Sequence, residues 1–137
     1  RVGVMLSLNF PAGPELEKLS EKSNAGFKIK PSMKNTDCSL SGVENKCKKM
    51  LTENYEKSDI ALFCIDSVIA ALDGMYKALM PKYGALPVVF SGGVTSNKRI
   101  KNYFHDKYNA VFAEPAFSAD NAAGTAVLSS IMYDRRK

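Results

Sequence analysis

The chain is poor in the residues that build metal clusters and disulfide frameworks. Its 137 residues include one histidine, His105, and three cysteines, Cys38, Cys47 and Cys64. An odd cysteine count with no close pair argues against a disulfide scaffold and against a zinc knuckle. Reduced thiols of a cytoplasmic protein are the expectation. With one histidine and no cysteine pair, the chain alone assembles no usual structural metal site. His105, between Phe104 and Asp106, reads as a surface or capping residue, and Cys64 as part of an apolar helical face. Long apolar runs are missing too. The richest stretch, 60–80, carries Asp66, Asp73 and Lys77, so nothing approaches the ~20 apolar residues of a bilayer-spanning helix, and no membrane role is expected. There is no signal-peptide pattern, no internal repeat and no low-complexity segment. The chain also lacks an initial methionine and runs from Arg1 straight into an apolar segment. The expectation is a piece of something longer.

The composition that remains is ordinary: 45% hydrophobic and 24% charged residues, which excludes disorder, collagen and coiled coil. The length suits one domain, or one lobe of a larger fold. Such a chain buries about two thirds of its unfolded surface and needs no staples. Nineteen Lys and Arg against fourteen Asp and Glu give a net charge of +5. That excess serves solubility or a polyanion partner. The clusters Lys46-Lys48-Lys49, Lys98-Arg99-Lys101 and Arg135-Arg136-Lys137 are too short to decide between them.

Along the chain, 1–8 reads as a helix end that Asn9-Phe10-Pro11-Ala12-Gly13-Pro14 must break, because two prolines and a glycine leave little helical backbone. A short helix follows from Pro14 to about Ser23. Residues 24–42 read as loop with weak strands at 27–29 and 38–40. Helix is expected from Val43 to about Met80, interrupted near 55–57. Its second half carries an apolar stripe of Ile60, Phe63, Cys64, Val68, Ala71, Leu72, Met75 and Leu79 at spacings of three and four. Asp59, Asp66 and Asp73 lie off that stripe, with Asp73 four residues before Lys77. Pro81 and Gly84 are expected to end the helix. Next, 86–90 is a short β-type run of the kind covered on both faces. A helix over 97–107 follows, with Ile100, Tyr103 and Phe104 inward, then a strand at 110–113. A last helix, capped by Ser118, runs over 119–133. Strand–helix–strand–helix at this spacing predicts a parallel sheet, and so an α/β fold.

Ligands of open α/β sheets bind beyond the carboxyl ends of the strands. Gly92-Gly93 follows the first strand and lets backbone approach a phosphate or ribose; a tight turn needing positive φ explains the same pair. Asn97 either bonds a ligand or caps its helix. Asp120 either aims a carboxylate into the same cleft, for a metal or a water, or pairs with the helix dipole. Gly124, costly inside a helix, points to close packing or a ligand.

Three motifs occur in order: Phe10-Pro11-Ala12-Gly13-Pro14-Glu15-Leu16-Glu17-Lys18-Leu19, Ser91-Gly92-Gly93-Val94-Thr95-Ser96-Asn97 and Ala119-Asp120-Asn121-Ala122-Ala123. A weaker fourth is Cys38-Ser39-Leu40-Ser41-Gly42. Together they resemble the C-terminal half of the TsaD family, the threonylcarbamoyl transferases that modify adenosine in tRNA, historically named O-sialoglycoprotein endopeptidases or glycoproteases. The resemblance covers nearly the whole chain. It implies the second lobe of an actin-like ATPase fold, the fold of actin and the sugar kinases, with a ribonuclease-H-like sheet and flanking helices around a nucleotide cleft. Residues 1–137 would then be a C-terminal lobe whose N-terminal lobe is absent.

The resemblance further implies that Gly13, Glu17, Gly92, Gly93 and Asn97 contact ATP or threonylcarbamoyl-adenylate, and that Asp120 holds a divalent metal, iron or zinc. tRNA and the other proteins of a threonylcarbamoyl-transfer complex would be partners, and this lobe alone would be inactive. The family's two metal histidines, spaced four apart, and its phosphate loop belong to the first lobe. A ligand-contacting aspartate would fall just before Arg1. Two departures stand out. Val43 and Glu44 follow the serine–glycine turn where the family has a hydrophobic residue and lysine, and Gly124 replaces a methionine. They motivate an alternative, a non-catalytic paralogue serving as a nucleotide-binding or dimerisation scaffold. No nucleophile or water-activating motif supports a metallo-endopeptidase.

Overall fold

The structure, a computed structural model, describes residues 1–114 and 122–135, the first five of the latter by backbone alone. The chain runs α1 (Val2–Met5), α2 (Ala12–Ser20), β1 (Ser32–Lys34), β2 (Asp37–Ser39), α3 (Ser41–Thr52), α4 (Lys57–Tyr83), β3 (Val89–Phe90), a 3-10 turn (Gly93–Ser96), α5 (Lys98–Tyr108), β4 (Val111–Phe112) and α6 (Ala122–Asp134).

The break after α1 forms as the proline-rich segment requires. Ser7 turns left-handed at φ 62°, and the Phe10–Pro11 peptide is cis. Lys57 Nζ donates to the Leu6 carbonyl at 3.1 Å, satisfying an end of α1 that the short helix cannot bond itself. Helix α2 begins two residues before Pro14. Asn9 holds that start from outside, donating its backbone N–H and side-chain amide to the Glu15 carboxylate at 2.9 and 3.2 Å. Segment 27–29, expected as a strand, is irregular; the antiparallel hairpin is β1 with β2, turning at Asn35 (φ 55°).

Helix α4 is the spine. Its first half joins Val2, Leu6, Cys47 and Met50 in one core through Ile60 and Ala61, and its middle joins Ile100, Phe104 and Ala110 in a second through Ile65 and Ile69. Leu16 of α2 packs against both. Because α1, α2, α3, α5 and the hairpin all reach α4, its buried surface is broader than one stripe. Of the eight expected stripe residues, only Ile60 and Ala71 are fully buried, whereas Leu62, Ile65, Ser67, Ile69 and Asp73 are buried off it. Asp73, read as lying off the apolar stripe, is 8% exposed. Pro81 does not end α4. It lies two residues from the Tyr83 terminus, where a missing N–H removes at most one helical bond, and Gly84 at φ 74° ends the helix instead.

Strands β3 and β4 are parallel, pairing Val89 with Val111 and Phe90 with Phe112. Helix α5 joins them, with Ile100 and Phe104 buried as expected, and ends where Asn109 turns left-handed (φ 51°). The expectation that the strand at 86–90 is covered on both faces is corrected. Phe90 and Phe112 stack at 5.1 Å and pack toward Phe104, while Val89 and Val111 are 69% and 60% exposed. The α/β class therefore holds. Among the described residues the sheets are two-stranded, so a ribonuclease-H-like sheet is not displayed. On α6, Val127, Leu128, Ile131 and Met132 are exposed.

Candidate functional site

Four of the six site residues expected from the sequence fall around one junction, where the start of α5 meets α2. Strand β3 ends at Phe90, and the chain turns at Gly92 with φ 104°. That value favours glycine because a Cβ crowds the backbone there. The 3-10 turn from Gly93 to Ser96 follows, closed by Thr95, which donates its N–H to the Gly92 carbonyl at 3.1 Å and its hydroxyl to the same oxygen at 2.7 Å. Added Cβ atoms at Gly92 and Gly93 would meet nothing within 4 Å, so the loop is open on its outer side. Asn97 caps α5, its Oδ1 accepting the Ile100 N–H at 3.1 Å. The capping alternative for Asn97 is therefore realised. Its amide nitrogen is not used in that bond.

Glu17 reaches the same helix start from α2. Its Oε1 accepts the Lys98 N–H at 2.7 Å. Two of the first amides of α5, which a helix cannot satisfy internally, thus have side-chain acceptors. Gly13 lies one turn before Glu17 on α2, but it faces a different cavity. Glu17 borders an open cavity of about 910 Å3 with Asp66, Asp73, Lys98, Arg99 and Tyr103. Gly13 borders one of about 550 Å3 with Gly3, Leu16, Ser41, Glu44 and Cys64. The structure thus unites Glu17, Gly92, Gly93 and Asn97 and sets Gly13 to one side.

Two charged groups near this junction escaped the sequence reading. Arg99 grips Asp66 with two bonds, at 2.6 and 3.1 Å. Asp73 receives Lys77 at 2.6 Å, Lys107 at 2.8 Å and the Tyr108 hydroxyl at 2.6 Å. Only the Lys77 bond, four residues along one helix, was readable from spacing. Burial alone would raise the Asp73 carboxyl, but the hydrogen bonds of Lys107, Lys77, Tyr108 and Tyr103 overcome it and hold it well below the ordinary carboxylate range. Asp73 and Tyr103 in turn hold the Lys107 ammonium above its ordinary value. Burial, reinforced by Asp73, pushes Tyr108 up to about 12. Glu44, standing where lysine was expected, bonds Lys48 at 2.9 Å and Arg1 at 3.1 Å; these two cations lower its carboxyl.

Among the described residues no three His, Cys, Asp or Glu side chains gather into a metal-holding group. His105 bonds Asp106 at 3.2 Å on the surface. Asp120, Ser118 and the side-chain surroundings of Gly124 lie outside the described residues. No described helix is long and apolar enough to cross a membrane.

Residues 1–127 match the TsaD family, described as tRNA N6-adenosine threonylcarbamoyltransferase. The chain is similar to proteins of that name from Kosmotoga olearia (28% identity, covering all of this chain and 44% of the relative) and Thermococcus kodakarensis (30%, covering 93% and 41%). A third, from Thermococcus sibiricus, is 31% identical over 70% of this chain and 30% of its own length. The chain thus spans less than half the length of these curated relatives. It belongs to the TsaD family.

Proposed function

We propose that the chain is the C-terminal lobe of a two-lobe, actin-like ATPase-fold protein that binds ATP or threonylcarbamoyl-adenylate between its lobes and transfers the threonylcarbamoyl group to adenosine in tRNA. The observation that carries this reading is the Glu17–Lys98 bond, which brings two of the family's ligand motifs edge to edge. Each group then has a task. Glu17 Oε2, which carries no hydrogen bond among the described residues, is free to accept a ribose hydroxyl. The loop at Gly92 and Gly93 offers backbone N–H groups without a Cβ in the way, suited to an adenylate phosphate. The Asn97 amide nitrogen, which carries no hydrogen bond among the described residues, is free to donate to the base or ribose while its oxygen keeps the helix capped.

The described residues do not by themselves form a metal centre. Asp120 remains our proposed contribution to a divalent metal, iron or zinc, whose other donors would come from outside this chain. tRNA, an N-terminal lobe and the proteins of a transfer complex are the proposed partners, and the cytoplasm the proposed compartment. One observation favours a second reading, a non-catalytic nucleotide-binding or dimerisation paralogue. Glu44 occupies the expected lysine's place and is held by Arg1 and Lys48, which reverses the charge at the edge of the Gly13 cavity. The test is transfer of threonylcarbamoyl to tRNA by the full-length protein with its partners. Product formation supports the enzyme; nucleotide binding without product supports the paralogue.

A further inference from the structure

Cys47 and Cys64 lie on different helices, yet the fold brings both into one core. Helices α3 and α4 fold back through a four-residue turn, 53–56, and both cysteines end in the same apolar core. Cys47 is completely buried, whereas Cys64 is half-buried and borders the cavity of about 550 Å3 beside Gly13 and Val68. We propose that Cys47 and Cys64 are a modification site, a dithiol that a peroxide oxidises to a disulfide linking α3 to α4.

The nearby Cys47 thiol lowers that of Cys64, and the Cys64 thiol together with burial raises that of Cys47. Cys64 lines the cavity and Cys47 does not, so Cys64 is the sulfur open to attack, and thiolate is the reactive form. A small peroxide reaches Cys64 through the cavity. The Cys64 thiolate attacks one peroxide oxygen and the O–O bond breaks. Cys64 becomes a sulfenic acid, and the departing hydroxide takes a proton to become water. Cys47 then attacks the Cys64 sulfur and gives up its proton. The S–S bond forms, the S–O bond breaks, and a second water leaves. Two thiols are oxidised by two electrons and one peroxide is reduced to two waters. Cys38, on the hairpin strand β2, takes no part.

The test is peptide mapping of the full-length protein after one equivalent of hydrogen peroxide, with remaining thiols blocked by N-ethylmaleimide. Cleavage after Asp and Glu releases 45–53, which holds Cys47, and 60–66, which holds Cys64. The proposal expects these two peptides linked, lighter than their sum by about 2 Da, and separated by dithiothreitol. Both peptides recovered with maleimide, or Cys64 recovered as its sulfinic acid without the linked pair, would overturn it. In Cys47→Ser, the proposal expects a Cys64 sulfenic acid trappable by dimedone; maleimide on Cys64 there after peroxide would contradict the assigned order of attack.

Discussion

Glu17 and Lys98 are joined across 81 residues by a single hydrogen bond, from the Lys98 amide to a carboxylate oxygen at 2.7 Å. It makes α2 part of the cap of α5. Glu17→Ala leaves that amide to water and costs about 1–1.5 kcal/mol of stability, because the acceptor is charged but the pair is partly solvated. Glu17→Gln keeps an acceptor oxygen and costs less than half of that. Urea unfolding of the two variants measures the difference.

Asp73 gathers three donors from α4 and α5, so Asp73→Ala removes several charge-assisted bonds at once. The expected loss is about 1.5–3 kcal/mol. The pH dependence follows from the shifts. Asp73 is held below its ordinary 3.8, so its contribution is full above that value and is lost as pH falls toward the folded value. Tyr108 is raised from 10.0 to about 12, so its contribution is full below pH 10 and is lost as pH rises to about 12. Lys107, also raised from 10.5, adds to the alkaline loss. Thermal melts against pH should show steep acid and alkaline limbs in the parent chain and shallower ones in Asp73→Ala.

Local features of the fold were legible where sequence chemistry is local. The proline–glycine break after α1, the α5 core residues Ile100 and Phe104, the parallel β3–β4 pair and the Asp73–Lys77 contact all follow from short spacings. What could not be read depends on which helix becomes the spine. Because α4 is surrounded, Ile65, Ile69 and Asp73 are buried against partners far along the chain, and a single-stripe rule misplaces them. Lys107 and Tyr108 meet Asp73 across 34 and 35 residues, and Cys47 shares a core with Cys64 across the α3–α4 turn; no periodicity announces either. At the site, the motifs named Glu17 and Asn97, but not that their helices share one cap.

Gly3 is where α1 and α2 approach. A Cβ built there overlaps the Cβ of Ala12, so neither helix accommodates it without moving. Gly3→Ala should cost about 1–3 kcal/mol through overpacking, despite alanine's better helix propensity. In the Ala12→Gly background the cost should fall well below that, as denaturation midpoints would show.

The proposed metal role of Asp120 has its own readout. In the full-length protein, Asp120→Ala should lower the bound iron or zinc per chain and the transfer rate together. Unchanged metal content by elemental analysis removes Asp120 from the ligand set.

The central claim is that the Glu17–Asn97 junction is a nucleotide-binding wall as well as a helix cap, and Asn97→Asp separates the two roles. Aspartate caps a helix as well as asparagine, so the variant should unfold within about 0.5 kcal/mol of the parent. It lacks the amide donor and adds a negative charge, so calorimetric titration of the full-length protein with ATP should show affinity reduced about tenfold or more, the equivalent of one lost 1.4 kcal/mol contact. Unchanged affinity with unchanged stability would contradict the account and leave Asn97 a cap alone.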